Sequence, residues 1–240
     1  MTGALEGAVR RYLSCLDPAL VTEPNVAALL GSGSQLVHAR RGETICAAGR
    51  RRTGCYWLVA GKVKLALLGG DGAERVMDVA LPGASFGEVG LWVDATDSLC
   101  AEALADSDLL FIARSVIDEA FDRSAVFARA LMRRVCAQGM RLLHDVEACS
   151  LMTAGERVER YLVEKAQPSA RFGNHAEVQL PASKSVVASS LNLSPETFSR
   201  ELHRLVSDRL VTIDRRTIHV HDIGALQRRR QGRRGIGEAA

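Results

Sequence analysis

The chain has 240 residues, of which 47% are hydrophobic, 25% charged and only 5% aromatic, with a formal net charge of +3. That is enough apolar material for one or two globular domains, and it excludes disorder over most of the length. Apolar runs such as Val26–Leu30 and Leu109–Ala113 reach five residues, far below the roughly 20 that cross a bilayer, so no membrane partner is expected. Met1-Thr-Gly-Ala-Leu-Glu6 lacks the basic and apolar stretch of a secretory leader, and a cytoplasmic protein is expected. The six cysteines, Cys15, Cys46, Cys55, Cys100, Cys136 and Cys149, form no CxxC pair. They read as reduced thiols rather than as a zinc module or a disulfide framework.

The charge is unevenly spread. Residues 151–240 carry 15 Lys and Arg against 10 Asp and Glu, a net of +5, while residues 1–150 carry 16 against 18, a net of −2. A near-neutral front joined to a basic back is what a sensor attached to a nucleic-acid-binding module shows, although solvated charge gives the same distribution.

In chain order, Leu5 to Leu16 can form an amphipathic helix whose default role is core packing. From about Leu36 to Ala113, short apolar stretches alternate with punctuation at Arg41-Gly42, Gly49, Gly61-Lys62, Gly69-Gly-Asp-Gly72, Pro82-Gly83 and Gly87. This all-β pattern predicts successive hairpins and a small sandwich, barrel or jelly roll. One hairpin is expected between Tyr56-Trp-Leu-Val59 and Val63-Lys-Leu-Ala-Leu67, and the next across Gly69–Gly72 to Val76-Met-Asp-Val79.

From Ser115 the period changes. Phe127, Leu131, Val135, Gln138, Leu142 and Val146 recur every three or four residues and predict one long helix with a narrow apolar stripe. Such a stripe suits a parallel dimer seam, the alternative being packing on the chain's own β domain. Gln138 in that seam either fixes register or faces a ligand. Thr153-Ala-Gly-Glu156 has the form of a capping box, placing a break at Cys149–Met152 and a second helix at Glu156–Lys165.

After a loop at Pro168–Ala176 come a short strand at Val178–Leu180, a helix at Ser183–Leu191 and a turn at Asn192-Leu-Ser194. A helix at Pro195–Val206 follows, with Ser194 as N-cap and Pro195 at its first position. Leu210–Ile213, Asp214-Arg-Arg216 and Thr217–Val220 then read as strand, turn, strand, so the back half is a helix-turn-helix with a hairpin wing. The tail Arg228–Arg234 either touches phosphates or is solvated charge.

A helix that reads a major groove points polar side chains at base edges from its N-terminal part. Glu196, Ser199 and Arg200 share one face of the second helix, with His203 and Arg204 a turn further on, while Phe198, Leu202 and Leu205 supply the opposing apolar face. Arginine can bond guanine bidentately and glutamate can accept from cytosine; an intrahelical Glu196–Arg200 ion pair is the alternative. Ser183, Lys184, Ser194, Pro195 and Thr197 at the helix starts, and Arg215 and Arg216 in the wing, complete the expected DNA-facing set.

Phe86-Gly-Glu-Val-Gly-Leu91, the β pattern before it, the long helix and Pro195-Glu-Thr-Phe-Ser-Arg200 together resemble the CRP/FNR family of dimeric bacterial transcription regulators, over about residues 35–225. The resemblance implies an α+β protein: a double-stranded β-helix or jelly roll of the cyclic-nucleotide-binding type, a dimerisation helix and a C-terminal winged helix-turn-helix. The divisions expected are a sensor roll with its N-terminal helix at 1–114, the dimerisation helix at 115–150, the DNA-binding domain at 151–225 and a basic tail at 226–240. Implied partners are double-stranded DNA, a second copy of the chain and RNA polymerase. Glu196, Thr197, Ser199 and Arg200 are similar to the FNR and Dnr subgroup signature, whose members read palindromes with TTGA-type half-sites. Pro195 replaces the arginine of the cAMP receptor, which disfavours its TGTGA-type sites.

By the same resemblance an effector pocket would involve Phe86, Gly87, Glu88, Val89, Ser98, Leu99, Gln138 and Leu142. Ala95-Thr-Asp-Ser-Leu-Cys100 holds no arginine for a cyclic-nucleotide phosphate. Gln138 and Leu142-Leu143 also stand where relatives place an arginine and a Thr-Ser pair, so cAMP is disfavoured. A lone N-terminal Cys15 disfavours the iron-sulfur cluster of FNR. The signal is therefore unidentified. Haem-dependent nitric oxide sensing, with His38, His144, Cys46, Cys55 or Cys100 as iron ligand, a thiol switch at Cys136 or Cys149, and a cyclic nucleotide in an atypical pocket are the alternatives. His219 and His221 share a strand face in the wing and suit phosphate contact or exposure, not a metal site. No nucleophile elbow, P-loop, paired-histidine metal motif or dinucleotide fingerprint occurs, so no enzyme is expected.

Overall fold

The computed structural model describes residues 2–70, 72–93, 98–168 and 175–229. Asp71 of the expected hairpin turn, Ala95–Asp97, most of the loop after Pro168 and the tail beyond Arg229 lie outside these. The chain divides into two compact units, Met1–Leu142 and Leu143–Ala240.

The first unit opens with α1 (Thr2–Leu16) and α2 (Pro24–Gly33), joined by a 3-10 turn. α1 is the expected packing helix: Ala8, Val9, Tyr12 and Leu13 are buried along one face. Eight strands follow: β1 (Ser34–Ala39), β2 (Thr44–Cys46), β3 (Gly54–Ala60), β4 (Val63–Leu68), β5 (Glu74–Ala80), β6 (Ser85–Phe86), β7 (Leu99–Ala103) and β8 (Ser107–Ala113). They form two antiparallel sheets, ordered β1-β8-β3-β6 and β2-β7-β4-β5, which is the jelly roll. The apolar run of β3 is continuous because both its faces are covered. Leu58 enters the core between the sheets with Val63, Phe86 and Leu109, and Cys55 and Trp57 enter the core under the helices.

The expected hairpin between Tyr56–Val59 and Val63–Leu67 does not form, because β3 pairs with β8 while β4 pairs with β5 and β7. Between them the chain crosses from one sheet to the other at Gly61. This residue has φ +96°, and a Cβ on it would lie 2.2 Å from Ser107 Oγ. Only glycine fits that crossing. The β4–β5 hairpin across residues 69–72 does form.

The helix expected from residue 115 is two helices, α3 (Arg114–Arg123) and α4 (Ala125–Leu151). Ser124 separates them and accepts from the Phe127 amide at 3.1 Å, so it caps α4. Two residues assigned to a dimer seam are core instead. Phe127 and Leu131 are fully buried against Tyr12, Leu30 and Ile117, and Gln138 reaches the roll at Ser85 and Glu88. The first part of the predicted stripe, as far as Gln138, packs on the roll and its helices instead. The apolar residues of α4 that are more than half exposed are Met132, Met140, Leu143, Val146 and Leu151. Of the expected seam only Leu142 and Val146 are exposed, and Val135 is half-buried.

The second unit contains α5 (Ala154–Lys165), β9 (Gln167–Pro168), β10 (Ala176–Gln179), α6 (Lys184–Ser190), α7 (Pro195–Ser207), β11 (Val211–Asp214) and β12 (Thr217–Val220), then a helical segment at 223–229. The Thr153–Glu156 capping box is formed in both directions. The sheet runs β11-β12-β10-β9, and its inward residues Ala176, Val178, Ile218 and Val220 share one core with Phe198, Leu202 and Leu205 of α7.

Phe127→Ala should lower unfolding stability by about 3–5 kcal/mol in denaturant titrations, since it empties a closed core site. A loss below about 1 kcal/mol would mean that Phe127 is a surface seam residue after all.

Candidate nucleic-acid interface and effector pocket

α7 is amphipathic in register with its cap. Ser194 accepts from the Thr197 amide at 3.2 Å and Pro195 occupies the first turn, which starts the helix where the turn ends. Phe198, Leu202 and Leu205 are buried, and Glu196, Arg200 and His203 are exposed on the opposite side. Ser199 and Thr197 are half-buried at the margin. Glu196 is held ionised below the ordinary carboxyl range by its own backbone amide and by the Ser194 hydroxyl. Its carboxylate thus serves the helix N-terminus rather than Arg200.

The supporting helix α6 is capped by Ser183, with Lys184 exposed beside it. Asn192, at φ 54°, turns the chain toward α7. Arg157 of α5 fixes that turn by donating to the carbonyls of Leu191 at 2.9 Å and Asn192 at 3.0 Å. Arg215 and Arg216 form the exposed tip of the β11–β12 hairpin. His219 pairs with Glu177 at 3.4 Å, and the His221 ring packs edge-on to His175.

Arg204 departs from the expectation. Its guanidinium lies 3.3 Å from Glu201 and 3.7 Å from the buried Glu159 of α5. The local partner Glu201 lies three residues before it, but the buried acid that also faces it, Glu159, sits 45 residues earlier in the chain and leaves no mark in the helical spacing.

In the first unit the Gly-Glu turn is closed. Phe86, Gly87 and Glu88 are buried, and Gly87 has φ +98° with the Gly54 carbonyl 3.3 Å from where its Cβ would be. The Glu88 carboxylate takes the Ser85 hydroxyl bond and lies 3.8 Å from Arg134 Nε. Gln138 Nε2 stands 3.5 Å from it and 3.4 Å from the Ser85 carbonyl. Arg134 also donates to the Gly83 carbonyl at 3.0 Å, which Trp57 Nε1 bonds as well at 3.1 Å. Leu99 is half-buried, while Val89, Ser98 and Leu142 are exposed. Arg134 and Ser85 were missed in the sequence. The signal for Arg134 is its place one turn before Gln138 on the same helix face.

Residues 36–124 match the cyclic nucleotide-binding domain and residues 156–229 the Crp-like helix-turn-helix domain. The nitrogen fixation regulation protein FixK of Rhizobium meliloti is 31% identical over 199 residues, covering 82% of this chain and 88% of that protein. The chain belongs to the CRP/FNR family of transcription regulators. FixK of Azorhizobium caulinodans is 30% identical and covers 85% of this chain and 80% of its own. The structure of FixK2 from Bradyrhizobium japonicum superimposes with a TM-score of 0.70 at 25% identity, over 81% of this chain and 96% of that one. As in these CRP/FNR relatives, the function is regulation of transcription through a DNA-binding helix-turn-helix, not catalysis.

The residues proposed for other sensing chemistry are dispersed. His38 is paired with Asp108 at 2.8 Å on the surface of β1 and β8. Cys55 is fully buried, and burial pushes its thiol up, as it does the neighbouring Tyr12 phenol. Cys46, Cys100 and Cys149 are half-buried and Cys136 is exposed. His144, on α4, offers its backbone carbonyl to Arg160 at 3.1 Å. Among the described residues no group of three or more His, Cys, Asp or Glu is placed to hold a metal ion, and no helix is long and apolar enough to cross a membrane.

The stabilising bonds to ionised Glu196 are present above the ordinary glutamate pKa and are lost as pH falls through its lowered folded value. Ser194→Ala should therefore move Glu196 back up toward the ordinary range in a carboxyl NMR titration. An unchanged midpoint would show that the serine contributes nothing.

Proposed function

We propose that the chain acts as a cytoplasmic homodimer that reads a palindrome with TTGA-type half-sites, in response to a signal other than cAMP, with RNA polymerase as the downstream partner. The observation that carries this reading is α7: Phe198, Leu202 and Leu205 are buried, and Glu196, Arg200 and His203 are exposed together on the opposite side. A two-fold pair of such helices enters successive major grooves about 34–36 Å apart. One arginine and one glutamate a turn apart can address a guanine and a cytosine on opposite strands.

The dimer seam in this reading is Met132, Cys136, Gly139, Leu143 and Val146, spaced 4, 3, 4 and 3 residues along α4. It lies beside the first part of the expected stripe, which holds α4 on the roll and its helices. Large side chains left in water at such spacing favour a parallel partner. The reading of the signal rests on Glu88. The carboxylate that a ligand hydroxyl would address is already engaged by Ser85, Arg134 and Gln138, and the Ala95–Cys100 stretch brings no arginine.

Titration of palindromic duplexes should show TTGA half-sites preferred over TGTGA, without added nucleotide. The reverse preference would assign the other subgroup. Arg200→Ala should cost on the order of 1–3 kcal/mol at one guanine position and relax discrimination there; an equal loss on every sequence would leave it only a phosphate contact.

Leu143→Asp should convert the dimer to a monomer in light scattering while changing the melting temperature of each unit little. A dimer that survives this substitution would place the interface elsewhere.

A further inference from the structure

α5 meets α7 through a buried ion cluster that the base-reading face does not explain. We propose that Glu159 is a positioning residue for sequence recognition: with Gly155 beneath it, its carboxylate holds Arg204 and Arg229 and so sets the rotation of α7 about its own axis. The inference rests on α7 being the base-reading helix.

The side chain of Glu159 is 0% exposed. One of its oxygens lies 3.2 Å from Arg229 Nε and 3.7 Å from Arg204 Nη2. Arg204 is held a second time by Glu201 on its own helix at 3.3 Å. Arg229, in the last helical segment, reaches back at 2.6 Å to Asp208, the residue that ends α7. The second half of α7 is thus gripped at its middle and at its end, both grips meeting on one carboxylate. Gly155 lies one turn before Glu159 on α5. A Cβ there would come 2.7 Å from Arg204 Nη2 and 3.0 Å from Glu201 Oε2, so the guanidinium rests directly on the glycine.

Charge and packing divide the work. The apolar contacts of Phe198, Leu202 and Leu205 hold α7 to its core, and the attraction that buries them is itself non-directional. A carboxylate removed from water tolerates no rotation that separates it from its cations. Arg204 and Arg200 are four apart on the same helix, so a rotation that releases Arg204 also swings Arg200 away from its base. At the other end, Arg157 of the same α5 fixes the turn before α7. α5 is therefore the ruler against which the reading helix is set.

The test uses the full-length protein. The unmodified chain selects a sequence from random-core duplexes, and variants are then titrated on that duplex and on a scrambled one at a single salt concentration. Glu159→Gln should lose roughly tenfold or more of the preference for the selected duplex, keep its affinity for the scrambled one, and melt cooperatively. Arg204→Met should do the same, and the double variant should lose no more than either single change, because both break one interaction. Gly155→Ala, which keeps every charge and displaces only the tips of Arg204 and Glu201, should lose less, and Arg204→Met decides the matter if Glu159→Gln does not fold.

Preference retained in folded Glu159→Gln, or in folded Arg204→Met, overturns the proposal. So do additive losses in the double variant, which would give Arg204 a DNA contact of its own. A selection that enriches no sequence would overturn the base-reading assignment and this inference with it.

Discussion

Among the described residues two carboxylates, Glu88 and Glu159, are entirely withdrawn from water, and each is met by guanidinium groups carried on a helix. A buried charge without a partner costs several kcal/mol, so each acid dictates where its helix must lie. Glu88 recruits Arg134 and Gln138 and thereby fixes α4 against the Gly-Glu turn of the roll. Glu159 recruits Arg204 and Arg229 and fixes α7 against α5. Replacing such pairs with apolar residues often costs nothing in stability, whereas removing one partner leaves an uncompensated buried charge.

That division clarifies α4. A helix turns about 100° per residue, so stripes one position apart face different neighbours. Phe127, Leu131, Arg134 and Gln138 look toward the roll, and Met132, Leu143 and Val146 look to solvent. One helix therefore has a face that is committed within the chain and a second that carries exposed apolar side chains. Whatever holds the first face sets the angle of the second.

The fold was largely legible because its signals are local. Glycine punctuation marked the roll, the Thr153–Glu156 box marked the start of α5, and Ser194-Pro195 marked the start of α7; each works through backbone geometry within a few residues. The pairing of strands was less so. Tyr56–Val59 and Val63–Leu67 are neighbours in sequence but belong to different sheets, since jelly-roll pairing is decided by partners such as β8, some fifty residues away. A three-residue link looks the same whether it closes a hairpin or crosses between layers.

The sequence alone determined which residues of α7 are amphipathic, that the back half is basic and folds as a helix-turn-helix with a hairpin wing, and that an all-β segment precedes it. These follow from periodicity, capping and charge, which are properties of short segments. Only the tertiary structure decided which arginines are spent internally. Arg200 and Arg204 have the same helical spacing and the same chemistry, and Phe127 and Val146 fit one seam equally well. What separates them is a carboxylate or a core brought close by distant parts of the chain, and no local pattern encodes that distance.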